Sequence, residues 1–387
     1  MSPQLHKHLI PVLFLLSATP LNAHPGHFPD SVHDNSTHSV EQHLIKTYQA
    51  ELEKSPDDVR LLMQLGRAYL DAGRRSGLHK PFAQALEAFQ KGLTLSPGEP
   101  ALLEASAQAK LGVHQFASAL EDIRAAMQSR PQEKSLQYLQ ADCLLALGRY
   151  TNAAEILRSL YSPEDITVEN AARMAQLEEA RGRFTAALEY YHEAHQAGLL
   201  LEAPKQQIAW CITMKADLQR LRFHNPSVSL ELLMEALALD PTSPEILYRL
   251  ALTRLDLRGS QNAVQARELL ISLTNNHPEH ARYWEALSLA QQKLGEFEAS
   301  NSSAAKAEQI WEAEYSTGEY GHIREYAWFL IRHKNNPEKA LQLALLDLEH
   351  IRQDTEAYEL AIAAASALEK RDLAIELEQK RQASIQF

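Results

Sequence analysis

Small and large apolar residues recur at a fixed spacing through the first half of the chain. Alanine returns at equal intervals, and each of these alanines is followed four positions later by a large apolar side chain. The pairs are Ala85 and Phe89, Ala119 and Ile123, Ala153 and Leu157, and Ala187 and Tyr191. Because residues i and i+4 lie on one face of an α-helix, each pair predicts the buried stripe of a helix.

Aromatic residues and glycines mark the turns that precede these helices. Each alanine has an aromatic residue three positions before it, and two of the aromatics have a glycine two positions before them. These residues are Phe82, Phe116, Tyr150 and Phe184, with Gly148 and Gly182. Glycine accepts the positive φ of a tight turn, and Pro97 and Pro131 end two of the units. The pattern predicts antiparallel helix hairpins, which bury their apolar faces only by stacking on one another.

The unit that ends at Pro97 carries the most complete set of these positions. They are Leu62, Leu65, Gly66 and Tyr69 in its first helix, and Ala85, Phe89 and Pro97 in its second. These residues resemble the tetratricopeptide repeat family, whose 34-residue unit follows W-x2-L-G-x2-Y, then A-x3-F, then P. The connection between the two helices, GRRSGLHKPF, is about seven residues longer than the family's turn.

The resemblance covers residues 40–380 and implies an all-α fold, a right-handed α-solenoid of about eight to nine helix hairpins. The composition agrees, because glycine is scarce at 14 residues while helix-forming residues abound. An irregular stretch near 196–226 divides the predicted solenoid into a regular arm, 40–200, and a divergent arm, 201–387. Residues 201–241 predict either a longer first helix or a longer turn.

Residues 1–23 have the layout of a secretory signal peptide. Lys7 precedes a short apolar run at 9–21, and Ala23 supplies a small residue at a plausible cleavage point. An uncleaved anchor is the alternative, although the run is short for a transmembrane helix. The pattern predicts an exported protein, periplasmic or secreted, with no stable membrane span after cleavage.

Histidines cluster directly after the predicted cleavage point. Residues 24–39 are interpreted as a His-rich flexible linker, with weak binding of Cu, Zn or Ni as the alternative. The candidate metal ligands are His24, His27, His33 and His38. Cleavage after Ala23 would place the α-amine of His24 beside its imidazole, a pair that can chelate Cu(II). No other cofactor is predicted.

Charge and motifs exclude several function classes. The 50 acidic residues outnumber the 38 basic ones, which argues against a nucleic-acid partner. No catalytic motif is found, so the protein is predicted not to be an enzyme.

Glu178 and Glu179 are interpreted as part of a solvated helix face. His192 and His195 are interpreted as a structural pair, and residues 277–280 as a loop at a repeat boundary.

The two cysteines are predicted to be small buried side chains. Cys143 and Cys211 are separated by two repeat lengths and occupy equivalent first-helix positions. A disulfide needs Cα atoms within about 7 Å, which a whole intervening hairpin prevents.

The family resemblance also implies a binding face. First-helix positions 2, 5, 9 and 12 of the repeat line the concave groove that holds peptides or partner helices in the family. The residues at such positions that form the candidate partner-binding groove of this chain are Arg60, Met63, Arg67, Glu104, Gln108, Tyr138, Asp142 and Gln176. The predicted function is that of an exported, non-catalytic scaffold or adaptor for a protein partner, with a metal-handling periplasmic protein as the alternative.

Overall fold

The computed structural model describes residues 35–385, and within them it is built of helices without strands. The helices are α1 (Asn35–Lys54), α2 (Val59–Ser76), α3 (His79–Leu95), α4 (Pro100–Gly112), α5 (Phe116–Met127), α6 (Lys134–Ala146), α7 (Tyr150–Leu160), α8 (Val168–Ala180), α9 (Phe184–Leu200), α10 (Lys205–Leu221), α11 (Pro226–Leu239), α12 (Pro244–Asp256), α13 (Ser260–Asn276), α14 (Ala281–Lys293), α15 (Phe297–Thr317), α16 (Ile323–His333), α17 (Pro337–His350), α18 (Thr355–Ala367) and α19 (Arg371–Ile385).

Consecutive helices pair into hairpins, from α2 with α3 to α18 with α19, after the opening helix α1. The described residues therefore hold nine hairpins. The even-numbered helices contact one another in succession from α2 to α14, and α16 contacts α18, so they form one layer of the stack. Each odd-numbered helix from α3 to α17 packs against the two even-numbered helices that flank it in sequence. The predicted all-α solenoid is confirmed.

The predicted buried stripes form the core of the first four units. Ala85, Ala119, Ala153 and Ala187 have no exposed surface, and their large apolar partners are equally buried. These small residues let paired helices approach closely enough for the large side chains to interlock. The two cysteines are free and buried, as predicted, and burial raises the pKa of the Cys211 thiol to about 12.

Two irregularities of the sequence are accommodated by longer helices. The long connection before Ala85 is a turn of only Gly77 and Leu78, because α2 and α3 extend to 18 and 17 residues. Of the two alternatives for residues 201–241, the longer first helix is the observed one, since α10 has 17 residues. Helix α1 begins at Asn35, inside the predicted linker 24–39, and residues 1–34 lie outside the described part.

Helices pack continuously across the predicted arm boundary near 196–226. Gly198 on α9 faces Ile208 on α10 and Val168 on α8. One apolar cluster extends from Val168 to Leu218 across this stretch. Short helix-to-helix turns thus keep the two arms in one stack.

The stack returns upon itself, so that late elements contact early ones. The segment between α17 and α18 lies against the turn between α6 and α7, where the Gln353 N–H donates to the Ala146 carbonyl oxygen at 3.4 Å. We call this line of contacts between early and late elements the seam. It also includes His114, which lies against Gly321. Within residues 35–385, no helix is both long and apolar enough to cross a membrane.

Candidate functional site

The return of the chain forms a half-open cavity of about 430 Å³, which we call the closure cavity. It lies between the ends of α6, α8 and α10 on one side and the hairpin of α18 and α19 on the other. Its volume falls within the range of about 300–1,000 Å³ that is usual for ligand pockets. It is lined by Leu145, Ala146, Tyr150, Gln176, Glu179, Ala180, Arg181, Gly182, Phe184, Tyr191, Arg222, Asp354, Thr355, Glu356, Glu359, Arg381 and Ile385.

Glu179 is a carboxyl group of the cavity wall held in a low-dielectric environment. Its carboxylate accepts a hydrogen bond from the Tyr191 hydroxyl at 3.3 Å. Burial, together with the negative charge of the nearby Glu356, raises the pKa of Glu179 to about 7, although Arg222 opposes the shift. The carboxyl group is therefore partly protonated at neutral pH, and a bound cation would favour its ionised form.

Glu356 is the second carboxyl group with this property, and it comes from the opposite wall. It accepts a hydrogen bond from Arg324 at 2.8 Å, while the same guanidinium donates to Asp354 at 2.6 Å. Burial nevertheless raises the pKa of Glu356 to about 7, and the negative charges of Asp354 and Glu359 add to the shift. Arg324, which is not part of the lining, thus donates hydrogen bonds to both Glu356 and Asp354.

The arginines of the lining are mostly engaged with other acids. Arg181 pairs with Glu178 at 3.4 Å, and Arg381 pairs with Glu378 at 2.8 Å, and neither acid belongs to the lining. Arg381 also lies 4.0 Å from Glu359, which does line the cavity. Arg222 remains, and its guanidinium stacks over the Phe184 ring, 4.8 Å from the ring centroid.

The cavity combines four carboxyl groups and three arginines with aromatic walls. Glu179, Asp354, Glu356 and Glu359 line it, and Arg222 lies 3.9 Å from Glu359. The rings of Tyr150, Phe184 and Tyr191 line the same space. Carboxylates together with aromatic faces are the groups that bind an ammonium cation.

The predicted groove residues at the start of the stack are accessible. Arg60 is largely exposed, with 80 % of its side-chain surface accessible, and Arg67 is also exposed. Met63 is partly buried against the apolar cluster of α2 and α3. These three residues occupy successive turns of α2 and do not line the closure cavity.

The next groove residues are used in links between neighbouring repeats. Glu104 accepts a hydrogen bond from Ser135 at 2.9 Å and is 3.0 Å from the Arg130 guanidinium. Gln108 accepts from Arg74 at 3.1 Å. The Tyr138 ring lies under the guanidinium of Arg173, whose central carbon is 4.6 Å from the ring centroid. The polar groups of these residues stabilise the stack.

Asp142 is not an exposed groove residue, contrary to the prediction. It is fully buried and accepts two hydrogen bonds from Arg173, at 2.9 and 3.0 Å. The neighbouring repeat covers the position because α8 supplies the long arginine side chain. Gln176, by contrast, lines the closure cavity, and its Oε1 has no hydrogen-bond partner among the described residues.

The interpretation of Glu178 and Glu179 as a solvated face is wrong. Glu178 is 6 % exposed and pairs with Arg181 and Arg183, and Glu179 faces the closure cavity. The sequence contains no local signal for this burial, because the covering hairpin of α18 and α19 comes from the far end of the chain.

The predicted histidine sites have different outcomes. His24, His27 and His33 lie outside the described residues, and the side chain of His38 is likewise not described. His192 is exposed, whereas His195 is buried with its ring nitrogen 3.4 Å from the Lys215 amine. The structural interpretation of that pair agrees with these positions.

Comparison with known proteins identifies the repeat. The family model described as tetratricopeptide repeat matches residues 104–166. A comparison with curated proteins finds no matching sequence. Among solved structures, a tetratricopeptide repeat protein from Parabacteroides merdae is 15 % identical with a TM-score of 0.50, covering 66 % of this chain and 94 % of that one.

A human IFIT1 dimer with PPP-AAAA is also similar, at 15 % identity and a TM-score of 0.49, covering 88 % of this chain and 78 % of that one. Identity at this level carries no residue-level correspondence, so the likeness to the Parabacteroides protein concerns the arrangement of helices. Residues 104–166 thus match the tetratricopeptide repeat family model, and the helix hairpins share the fold of the Parabacteroides tetratricopeptide repeat protein.

Proposed function

We propose that this chain is an exported, non-catalytic scaffold that binds a protein partner, and that the closure cavity receives an ammonium group of that partner. A lysine side chain or a free amino terminus would supply the group. The tetratricopeptide repeat fold is that of protein-interaction scaffolds, and the cavity gives this one a specific chemistry.

The observation that carries the proposal is the pair Glu179 and Glu356, two carboxyl groups with pKa raised to about 7 in one cavity. Arg222 and Arg324 lower these pKa values without offsetting the effect of burial, so a bound ammonium group would be stabilised by both carboxylates. The apolar and aromatic walls suit the methylene stem of a lysine.

Export is proposed from the N-terminal sequence. Residues 1–23 combine a basic start, a short apolar run and a small residue at the cleavage point. The partner would then be a protein of the periplasm or the extracellular space. N-terminal sequencing of the mature protein from its native host tests this step.

Co-purification from the native host tests the binding function. The full chain and two variants would be crosslinked mildly, and the recovered proteins would be compared by quantitative mass spectrometry. Glu179→Gln removes a charge from the cavity, while Glu189→Gln makes the same change at an exposed position of α9. A partner recovered with wild type and Glu189→Gln but reduced with Glu179→Gln supports the proposal. Equal recovery with all three places the partner elsewhere on the solenoid.

A second candidate function is metal handling by the N-terminal segment. Its support is the density of histidines, since His24, His27, His33 and His38 all follow closely on the predicted cleavage point. Calorimetry with Cu²⁺, Zn²⁺ and Ni²⁺ would compare the full chain with a variant that has asparagine at these four positions. Equal heats from both proteins would exclude the segment as a metal site.

A further inference from the structure

The turn between α13 and α14 brings three metal-binding side chains together. His277, Glu279 and His280 place one donor atom each within 4.8 Å of the other two. The sequence interpretation of residues 277–280 as a loop is correct for the backbone. The convergence of the side chains is an additional feature that spacing alone did not reveal.

Both histidines are anchored at helix ends, which limits their movement. His277 follows the last residue of α13, and its N–H donates to the Leu273 carbonyl oxygen at 2.8 Å. His280 precedes the first residue of α14, and its N–H donates to the His277 carbonyl oxygen at 3.2 Å. Pro278 restricts the backbone between them. A metal site needs such fixed geometry.

His280 has the environment of a metal ligand whose second ring nitrogen is already engaged. Its side chain is 5 % exposed, and its ring hydrogen-bonds to the backbone of Ser76. In metal sites, a ligating histidine usually donates its other ring N–H to a carbonyl or carboxylate, which fixes the tautomer. The Ser76 contact performs this role and leaves one nitrogen lone pair of His280 available.

His277 and Glu279 supply the other two donor atoms of the site. The His277 ring lies edge-on to the His280 ring, with centroids 6.0 Å apart, and is partly exposed. Glu279 is exposed and supplies a carboxylate oxygen. The nearby basic groups are already paired, Arg282 with Glu245 at 2.6 Å and His322 with Glu314 at 3.1 Å. Two imidazoles and one carboxylate form a set that binds Zn²⁺ and leaves positions for water or another ligand.

We propose that His277, Glu279 and His280 form a binding site for a divalent transition metal, with Zn²⁺ as the expected ion. The site shares no residue with the lining of the closure cavity or with the predicted N-terminal ligands. Because His280 contacts Ser76 at the turn between α2 and α3, a bound ion would also stiffen the seam where the stack returns upon itself.

Calorimetric titration with ZnCl2 tests the site on a full-length background. The background carries asparagine at positions 24, 27, 33 and 38, so that the N-terminal histidines contribute nothing. We expect one Zn²⁺ per chain and a higher melting temperature in excess Zn²⁺. His277→Asn and Glu279→Gln, both partly or fully exposed positions, should each weaken binding by about tenfold or more.

A matched control is available at another histidine and glutamate pair. His350 and Glu349 are exposed and 3.7 Å apart, and within the described part of the chain no third ligand group joins them. His350→Asn should leave the Zn²⁺ affinity unchanged. Circular dichroism would show that each variant retains the helical content of the background. Absence of Zn²⁺ binding by the background, or equal binding by the His277→Asn and His350→Asn variants, would overturn the proposal.

Discussion

The backbone N–H of Thr355 donates a hydrogen bond to the Tyr150 hydroxyl oxygen at 2.8 Å, across 205 positions of sequence. The Thr355 hydroxyl in turn donates to the Ala180 carbonyl oxygen at 2.7 Å. The first residue of α18 is thereby fixed to the turns of two early hairpins. The closure cavity exists because these contacts hold α18 and α19 against the ends of α6 and α8.

Gly148→Ala is expected to open this closure. Gly148 has φ of +66°, and a Cβ there would lie 2.1 Å from the Gln353 carbonyl oxygen. The conformation alone costs an alanine about 1–2 kcal/mol, and the backbone clash adds about 1–3 kcal/mol. Thermal unfolding should show a lower midpoint, and small-angle X-ray scattering should show a larger radius of gyration.

Gly182→Ala is the matched control for that experiment. Gly182 occupies the equivalent turn with φ of +74°, but a Cβ there would meet nothing within 4 Å. Its substitution should lower stability by the conformational cost alone and leave the radius of gyration unchanged. Equal changes in both variants would show that the contact with Gln353 does not maintain the closed shape.

Stability should depend on pH through Glu179. Burial raises its pKa from 4.5 to about 7, so the folded protein binds more protons than the unfolded chain between these values. Stability contributed by the protonated form is full below pH 4.5 and is lost as pH rises through about 7. At about 1.4 kcal/mol per pKa unit, the loss is at most about 3–4 kcal/mol, reduced by water in the cavity.

Glu179→Gln should remove this part of the pH dependence. Urea unfolding at pH 5 and pH 8 would then show a smaller loss of stability for the variant than for the wild type. Glu189→Gln, an exposed position on α9, should behave like the wild type. An unchanged pH dependence in Glu179→Gln would place the titrating group elsewhere.

The buried pair of Asp142 and Arg173 should show strong coupling. Arg173→Met leaves the Asp142 carboxylate buried without its partner and should cost about 3–5 kcal/mol. Adding Asp142→Leu removes the uncompensated charge and should restore most of that stability. Denaturant unfolding of the two single variants and the double variant measures the coupling, and additive losses would contradict it.

The two cysteine thiols should be unreactive in the folded protein. Cys143 and Cys211 have no exposed surface, and burial raises the pKa of both thiols, so that the thiolate is scarce at neutral pH. A thiol-reactive chromogenic reagent should label both rapidly in guanidinium chloride and neither in buffer over the same time. Rapid labelling of the native chain would contradict their burial.

The parts of the fold that the sequence predicts are those built from local patterns. The Ala85 and Phe89 spacing determines a helix face, and its regular recurrence determines how hairpins stack. The contact between Gly148 and Gln353 has no such periodic origin, because it depends on the curvature accumulated over the hairpins between them. The closure cavity depends on the same curvature.

The residues whose surroundings were predicted wrongly are those that depend on contacts with other parts of the chain. Asp142 occupies a groove position in the repeat pattern, but a single long side chain, Arg173 of the next repeat, covers it. The sequence around Glu179 is typical of a solvated helix face, but residues of α18 lie across the cavity from Glu179 and cover it. The convergence of His277, Glu279 and His280 depends on the turn conformation, which the H-P-E-H spacing alone left undecided.

Zero-length crosslinking with a carbodiimide tests the central proposal most directly, because the reagent joins a carboxyl group only to an amine in contact with it. The complex recovered from the native host would be treated, digested and sequenced by mass spectrometry. We predict an amide bond between a partner's amine and Glu179 or Glu356. Partner crosslinks confined to carboxylates outside the closure cavity, such as Glu189, would contradict it.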